Sequence, residues 1–100
     1  MPGPLDGIKV LDFTRNLNGG RCGVWLSDYG AEVIKIETRL TGDTSRTSFP
    51  VPNSDYGVNF ICTGRGKSSI TLDLKTEKAR EIVYKMVERC DVITSNFRIG

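Results

Sequence analysis

From Ile8 to Glu37 the chain reads IKVLDF (8–13), TRNLNGG (14–20), RCGVWLSDYG (21–30) and AEVIKIE (31–37). The order is strand, glycine-rich turn, helix, strand. Apolar residues on both faces of the first segment, in Ile8, Val10, Leu11 and Phe13, mark a strand covered on both sides, as in a parallel sheet flanked by helices. The turn carries Gly19, Gly20 and Gly23 and opens a helix, whose first free N–H groups favour an anion. Cys22, Trp25, Leu26 and Tyr29 follow at i, i+3, i+4 and i+7, so this stripe is expected to face the core, with Trp25 inside it. Gly30 suits the position just past the helix, and Val33, Ile34 and Ile36 form a second strand ending at Glu37.

The same turn nearly spells a dinucleotide fingerprint. G-x-G-x-x-G needs glycines at 18, 20 and 23, where the chain has Asn18, Gly20 and Gly23, with the acid Glu37 in the place of a ribose partner. Asparagine tolerates the left-handed conformation, so one mismatch leaves two readings open: a nucleotide-like ligand, or glycines that only permit a tight turn and close helix packing.

Residues 38–59 are polar and rich in turn formers, a length of connection that is usually functional or mobile. Phe60, Ile61 and Cys62 are expected to pack on the core before the turn at 63–67. Gly64-Arg65-Gly66-Lys67-Ser68 imitates the end of a P-loop, but Ile61 stands where the first glycine is required. The residues after Lys67 also read as a strand, Ser69–Leu74, where a P-loop opens a helix. What remains is a basic turn touching a ligand phosphate or only solvent. Thr76 is an N-cap candidate for a helix whose apolar stripe is Ala79, Ile82, Val83, Met86, Val87 and Cys90, and residues 91–95 form a closing strand. Two strand–helix–strand units imply an α/β fold with a Rossmann-like parallel sheet and crossover helices.

Composition narrows the chemistry. Fourteen basic and twelve acidic residues give a net charge of +2, interspersed along the chain, which points to no nucleic acid and no anionic membrane as partner. No stretch approaches the ~20 apolar residues of a membrane span, and no signal peptide is legible, so a cytoplasmic location is expected. Without histidine the chain supplies no histidine triad, and no metal site is expected. Cys22, Cys62 and Cys90 show no C-x-x-C spacing and read as small buried residues. Asp12, Asp28, Asp43, Asp55, Asp73 and Asp91 show no pairing that argues for an acid/base dyad and read mostly as turn or surface residues.

Taken in order, the blocks Pro4–Thr14 (PLDGIKVLDFT), Leu26–Glu37 (LSDYGAEVIKIE), Gly42-Asp43, Gly66–Thr76 (GKSSITLDLKT), Asp91-Val92 and Asn96–Gly100 (NFRIG) resemble the N-terminal part of the family III CoA-transferases. That family includes formyl-CoA, carnitine-type and bile-acid CoA-transferases, with acyl-CoA racemases as relatives. The resemblance implies that residues 1–100 are the N-terminal part of a Rossmann-like large domain, with the catalytic region and a small domain outside it. It implies coenzyme A or acyl-CoA and a carboxylic acid as substrates, no metal, and an interlocked homodimer at full length. The CoA-contacting positions it carries over are Asn16, Leu17, Thr38, Arg39, Leu72, Lys75, Asn96, Phe97 and Arg98, with Lys75, Arg39 or Arg65 neutralising phosphates. The family's aspartate nucleophile lies downstream of the Asn-Phe-Arg block, so no residue here is assigned to catalysis. The chain departs from the family pattern at Asn18-Gly19-Gly20, usually Ala-Gly-Pro, and at Thr38, Gly64 and Ile99. The alternatives are an acyl-CoA racemase, which tends to have a shorter connection than 38–59, and a non-catalytic Rossmann-like nucleotide-binding module.

Overall fold

In the computed structural model, which describes residues 3–98, four strands form one all-parallel sheet in the order β3-β2-β1-β4. The elements are β1 (Lys9–Asp12), α1 (Asn16–Asp28), β2 (Glu32–Glu37), a 3-10 turn (Thr44–Arg46), α2 (Val58–Gly64), β3 (Lys67–Thr71), α3 (Glu77–Val87) and β4 (Val92–Thr94). Val10 pairs with Val33 and Val92, and Ile34 with Ser68, so β1 and β2 are the inner strands. The expected Rossmann-like α/β architecture is present. Ile99 and Gly100, the end of the final sequence block, lie outside the described residues.

The two faces of the sheet differ in chemistry. On one, Leu11, Phe13 and Ile36 form a buried cluster on which Ile34, Ile70, Leu72, Leu74 and the α3 residues Val83, Met86 and Val87 pack. On the other, Val10, Ala31 and Val33 pack with Leu5, Ile8 and Leu26 only toward the strands' N-terminal ends. Toward the C-terminal ends that face turns ionic: Asp12, Lys35, Glu37 and the side chain of Lys67 are all buried there. Period-2 alternation produces this division, because successive residues of β1 and β2 point to opposite faces.

Helix α1 covers the ionic face, and its glycines are helical rather than part of a turn. The turn proper is confined to residues 13–15. A Cβ at Gly20 would stand 2.8 Å from Thr63 Cβ, and one at Gly23 would stand 2.7 Å from Asp12 Oδ2 and 2.8 Å from Lys67 Nζ. The glycines therefore serve close packing. This rotates most of the expected stripe outward: Leu26 still packs on the Val10–Val33 cluster and Val24 is buried, while Trp25 is 60% and Tyr29 58% exposed and Cys22 is exposed. At the start of α1 the left-handed conformation falls on Asn16 (φ 62°), not Asn18, and Gly30 takes φ 106° just past the helix.

Three boundaries differ from expectation. Residues 60–62 belong to helix α2, which packs on α1 through buried Thr63 and leaves Ile61 and Cys62 exposed. β3 starts at Lys67, two residues early, and ends at Thr71; Leu72 N still donates to Glu37 O at 3.0 Å, and the Leu72 and Leu74 side chains pack on the cluster that α3 also covers. Asp12 and Asp43 are fully buried instead of lying at the surface. Thr76 does cap α3, its hydroxyl accepting from Ala79 N at 3.2 Å. No helix among the described residues is long and apolar enough to cross a membrane.

Candidate functional site

The ionic layer determines what lies at the C-terminal ends of the strands. Asp12 Oδ2 accepts from Lys67 Nζ at 2.7 Å, and Lys67 also donates to Gly20 O at 2.9 Å. Asp12 Oδ1 takes the N–H and hydroxyl of Thr14 and the hydroxyl of Thr94. Lys67 is thus turned into the protein, not toward a ligand phosphate. Arg65, the other basic residue of that turn, is spent on Asp28 at 2.7 Å on the exposed α1 side.

Lys35 pairs with Asp43, and Asp43 Oδ1 accepts from Ser45 N at 2.9 Å and from Asn16 N at 3.1 Å. An anion does occupy the start of α1, but it is the chain's own carboxylate. Glu37 is bound bidentately by Arg46, at 2.7 and 2.6 Å, and also accepts from Ser69 Oγ and Asp43 N. Burial pushes the Glu37 carboxyl up, but the hydrogen bonds from Arg46, Ser69 and Asp43 N outweigh it and bring it to about 2. With both oxygens engaged, Glu37 is not available as a ribose partner. Together these pairs fasten the 38–46 segment across the strand ends. Arg46 is held further by the Phe60 ring, 4.1 Å from its centroid.

Next to this layer runs a groove of about 160 Å³ lined by Arg15, Ile36, Glu37, Thr38, Arg39, Leu72, Asp73, Leu74, Lys75 and Phe97. It continues into a wider space of about 480 Å³ bounded by Thr38, Arg39, Leu40, Thr41, Asp73 and Lys75. The sheet's topology places it, because the residues after β1, β2, β3 and β4 emerge at one edge. Five of the nine carried-over positions, Thr38, Arg39, Leu72, Lys75 and Phe97, line this groove. Three others do not: Asn16 accepts from the Thr44 hydroxyl, Asn96 is tied to the Arg15 backbone, and Arg98 is exposed and not part of the lining; the side chain of Leu17 is outside what is described.

Arg15, which belongs to no sequence motif, also lines the groove. The only available signal was its place immediately after β1, at the carboxyl edge. Its guanidinium lies 5.8 Å from the Phe97 ring centroid, and Phe97 meets Phe13 edge-on at 6.2 Å. Arg15, Arg39 and Lys75 make no ion pair among the described residues. The groove therefore presents three unneutralised cations around an apolar floor of Ile36, Leu72 and Leu74. Such a lining suits a ligand with both anionic and apolar parts. Among the described residues no cluster of three or more His, Cys, Asp or Glu could hold a metal.

Fold and groove define an open parallel α/β protein with a groove at the carboxyl edge of its sheet. The chain belongs to CoA-transferase family III, whose profile matches residues 5–100. It is 44% identical over 102 aligned positions to succinyl-CoA:mesaconate CoA-transferase of Haloarcula hispanica, covering 98% of this chain and 26% of that protein. It is 45% identical to acetyl-CoA:oxalate CoA-transferase of Acetobacter aceti, covering 98% of this chain and 25% of that one. A CAIB/BAIF family protein from Brucella suis superposes with a TM-score of 0.88 at 42% identity, over 97% of this chain and 26% of that chain. The chain thus spans about a quarter of the length of the relatives it matches.

Proposed function

We propose that this chain is the CoA-binding portion of an enzyme that moves CoA between an acyl-CoA and a carboxylic acid. The observation that carries the reading is the groove at the carboxyl edge. There Thr38, Arg39, Leu72, Lys75 and Phe97, from the ends of three different strands, share one lining with the cations Arg39 and Lys75 unpaired among the described residues. The apolar residues Ile36, Leu72 and Leu74 suit a pantetheine arm, and the cations suit the phosphates of a nucleotide. The ion pairs Glu37–Arg46 and Lys35–Asp43 hold Thr38 and Arg39 at the groove rather than leaving them on a free loop. Relatives that carry the name CoA-transferase support transfer over racemisation.

In this reading the chain binds and orients the cofactor, while the aspartate nucleophile of the family comes from outside these residues. Residues 1–100 alone are then inactive. The homodimer, the cytoplasmic location and the absence of a metal requirement belong to the same proposal. Calorimetry with full-length protein tests it: CoA binds, and Lys75→Ala weakens binding about tenfold by removing one charge-assisted phosphate contact. Tight binding of NAD with none of CoA would instead support the nucleotide-binding module.

A further inference from the structure

We propose that Arg15 is a phosphate-binding residue of the groove, on its β1 side, and that Asn96 is its positioning residue. The inference rests on the CoA reading of the groove. Arg15 shares the lining with Arg39 and Lys75. None of its guanidinium N–H groups is hydrogen-bonded or ion-paired among the described residues. Neither acid of the lining pairs with it: Glu37 is held by Arg46, and Asp73, whose Oδ1 accepts from Lys75 N at 3.1 Å, makes no ion pair among the described residues. A partly buried arginine with all its guanidinium donors unspent is a fork for an oxyanion. Three cations around one groove match a multiply charged phosphate ligand better than a single carboxylate.

The placement of Arg15 is built. Asn96 Oδ1 accepts from Arg15 N at 3.0 Å, and Asn96 Nδ2 donates to Arg15 O at 2.8 Å. One carboxamide thus satisfies both backbone groups of Arg15, as a neighbouring strand would, just past the point where β1 and β4 stop pairing at Asp12 and Thr94. The next residue, Phe97, supplies the ring beneath the guanidinium. Residues 96 and 97 therefore fix the backbone and the side chain of Arg15 together, and the Asn96 carboxamide acts on the ligand through Arg15.

The test is calorimetry on full-length protein with CoA and with dephospho-CoA, across a range of salt. Arg15→Gln removes a side chain that makes no hydrogen bond, so the variant folds. It is expected to weaken CoA about tenfold or more and to reduce the salt dependence of binding, with Arg15→Lys recovering part of the loss. Loss with both ligands assigns the contact to the pyrophosphate, and loss with CoA alone assigns it to the 3′-phosphate. Asn96→Ala is expected to weaken CoA in the wild-type background and to have no further effect beside Arg15→Gln. Wild-type affinity in Arg15→Gln, or a loss with unchanged salt dependence, overturns the role of Arg15. An equal Asn96→Ala loss in both backgrounds overturns that of Asn96. If wild type binds CoA and Lys75→Ala weakens it while Arg15→Gln does not, only this inference fails; if wild type binds no CoA, the reading of the groove fails first.

Discussion

At Gly23 two opposing magnitudes decide the residue's worth. Alanine is favoured over glycine inside a helix by ~1 kcal/mol. The added methyl, however, would stand 2.7 Å from Asp12 Oδ2 and 2.8 Å from Lys67 Nζ, and neither atom is free to retreat because they bind each other at zero to slight exposure. Overpacking costs ~1–3 kcal/mol, and breaking a buried ion pair ~3–5 kcal/mol. Gly23→Ala is therefore expected to lower stability by roughly 1–3 kcal/mol net, read from denaturant midpoints; an unchanged midpoint would show that the pair yields easily. Glu37 sets a pH dependence. Its folded pKa, about 2, lies below its ordinary value of 4.5, so its contribution is complete above 4.5 and is lost as pH falls through 2. Asp43, pushed up by burial but held low overall by Lys35 and the Ser45 and Asn16 N–H groups, acts in the same direction. Thermal unfolding between pH 5 and 2 should show a falling midpoint, with a shallower fall in Glu37→Gln; parallel curves for the two proteins would contradict this.

At the scale of elements, α1 and α3 show two ways of joining a helix to a sheet. Helix α3 follows amphipathic spacing except at Ile82, which is exposed: Ala79 is buried, Val83, Met86 and Val87 lie on the Leu11–Phe13–Ile36 cluster, and its charged residues face out. Its start is set by the Thr76 hydroxyl on Ala79 N. Thr76→Ala should cost about 1 kcal/mol, because that N–H loses its partner; a melting temperature equal to wild type would show that water replaces the hydroxyl without loss. Helix α1 instead buries glycines over ion pairs. Of its apolar stripe only Leu26 reaches the core, and Cys22, Trp25 and Tyr29 face out, since hydrophobic spacing carries no information about a polar face that demands close approach. What lies beneath a helix decided its rotation, and Asp12 and Lys67, 55 positions apart, were not legible as neighbours.

For the whole molecule, strand count and exposure set the behaviour. β3 and β4 are edge strands, and Tyr84, Val92, Ile93 and Phe97 remain substantially exposed near the β4 edge, with Trp25, Tyr29 and Ile61 on the opposite layer. Open edges and apolar faces favour association. The 100-residue chain by itself is expected to self-associate at micromolar concentration, which sedimentation velocity would detect; a monomer with one sharp unfolding transition would contradict it. The sequence by itself determined the parallel α/β order, the cap at Thr76, the glycine after α1 and the family, because these rest on local periodicity, turn chemistry and motif order. It also named five residues that share the groove. Tertiary structure alone decided that Lys67 and Glu37 serve the interior, that Trp25 faces solvent, that Asp43 occupies the start of α1, and that Arg15 joins the groove. Each of these depends on which distant side chain satisfies a charge or fills a gap, and spacing along one strand or helix does not encode that partner.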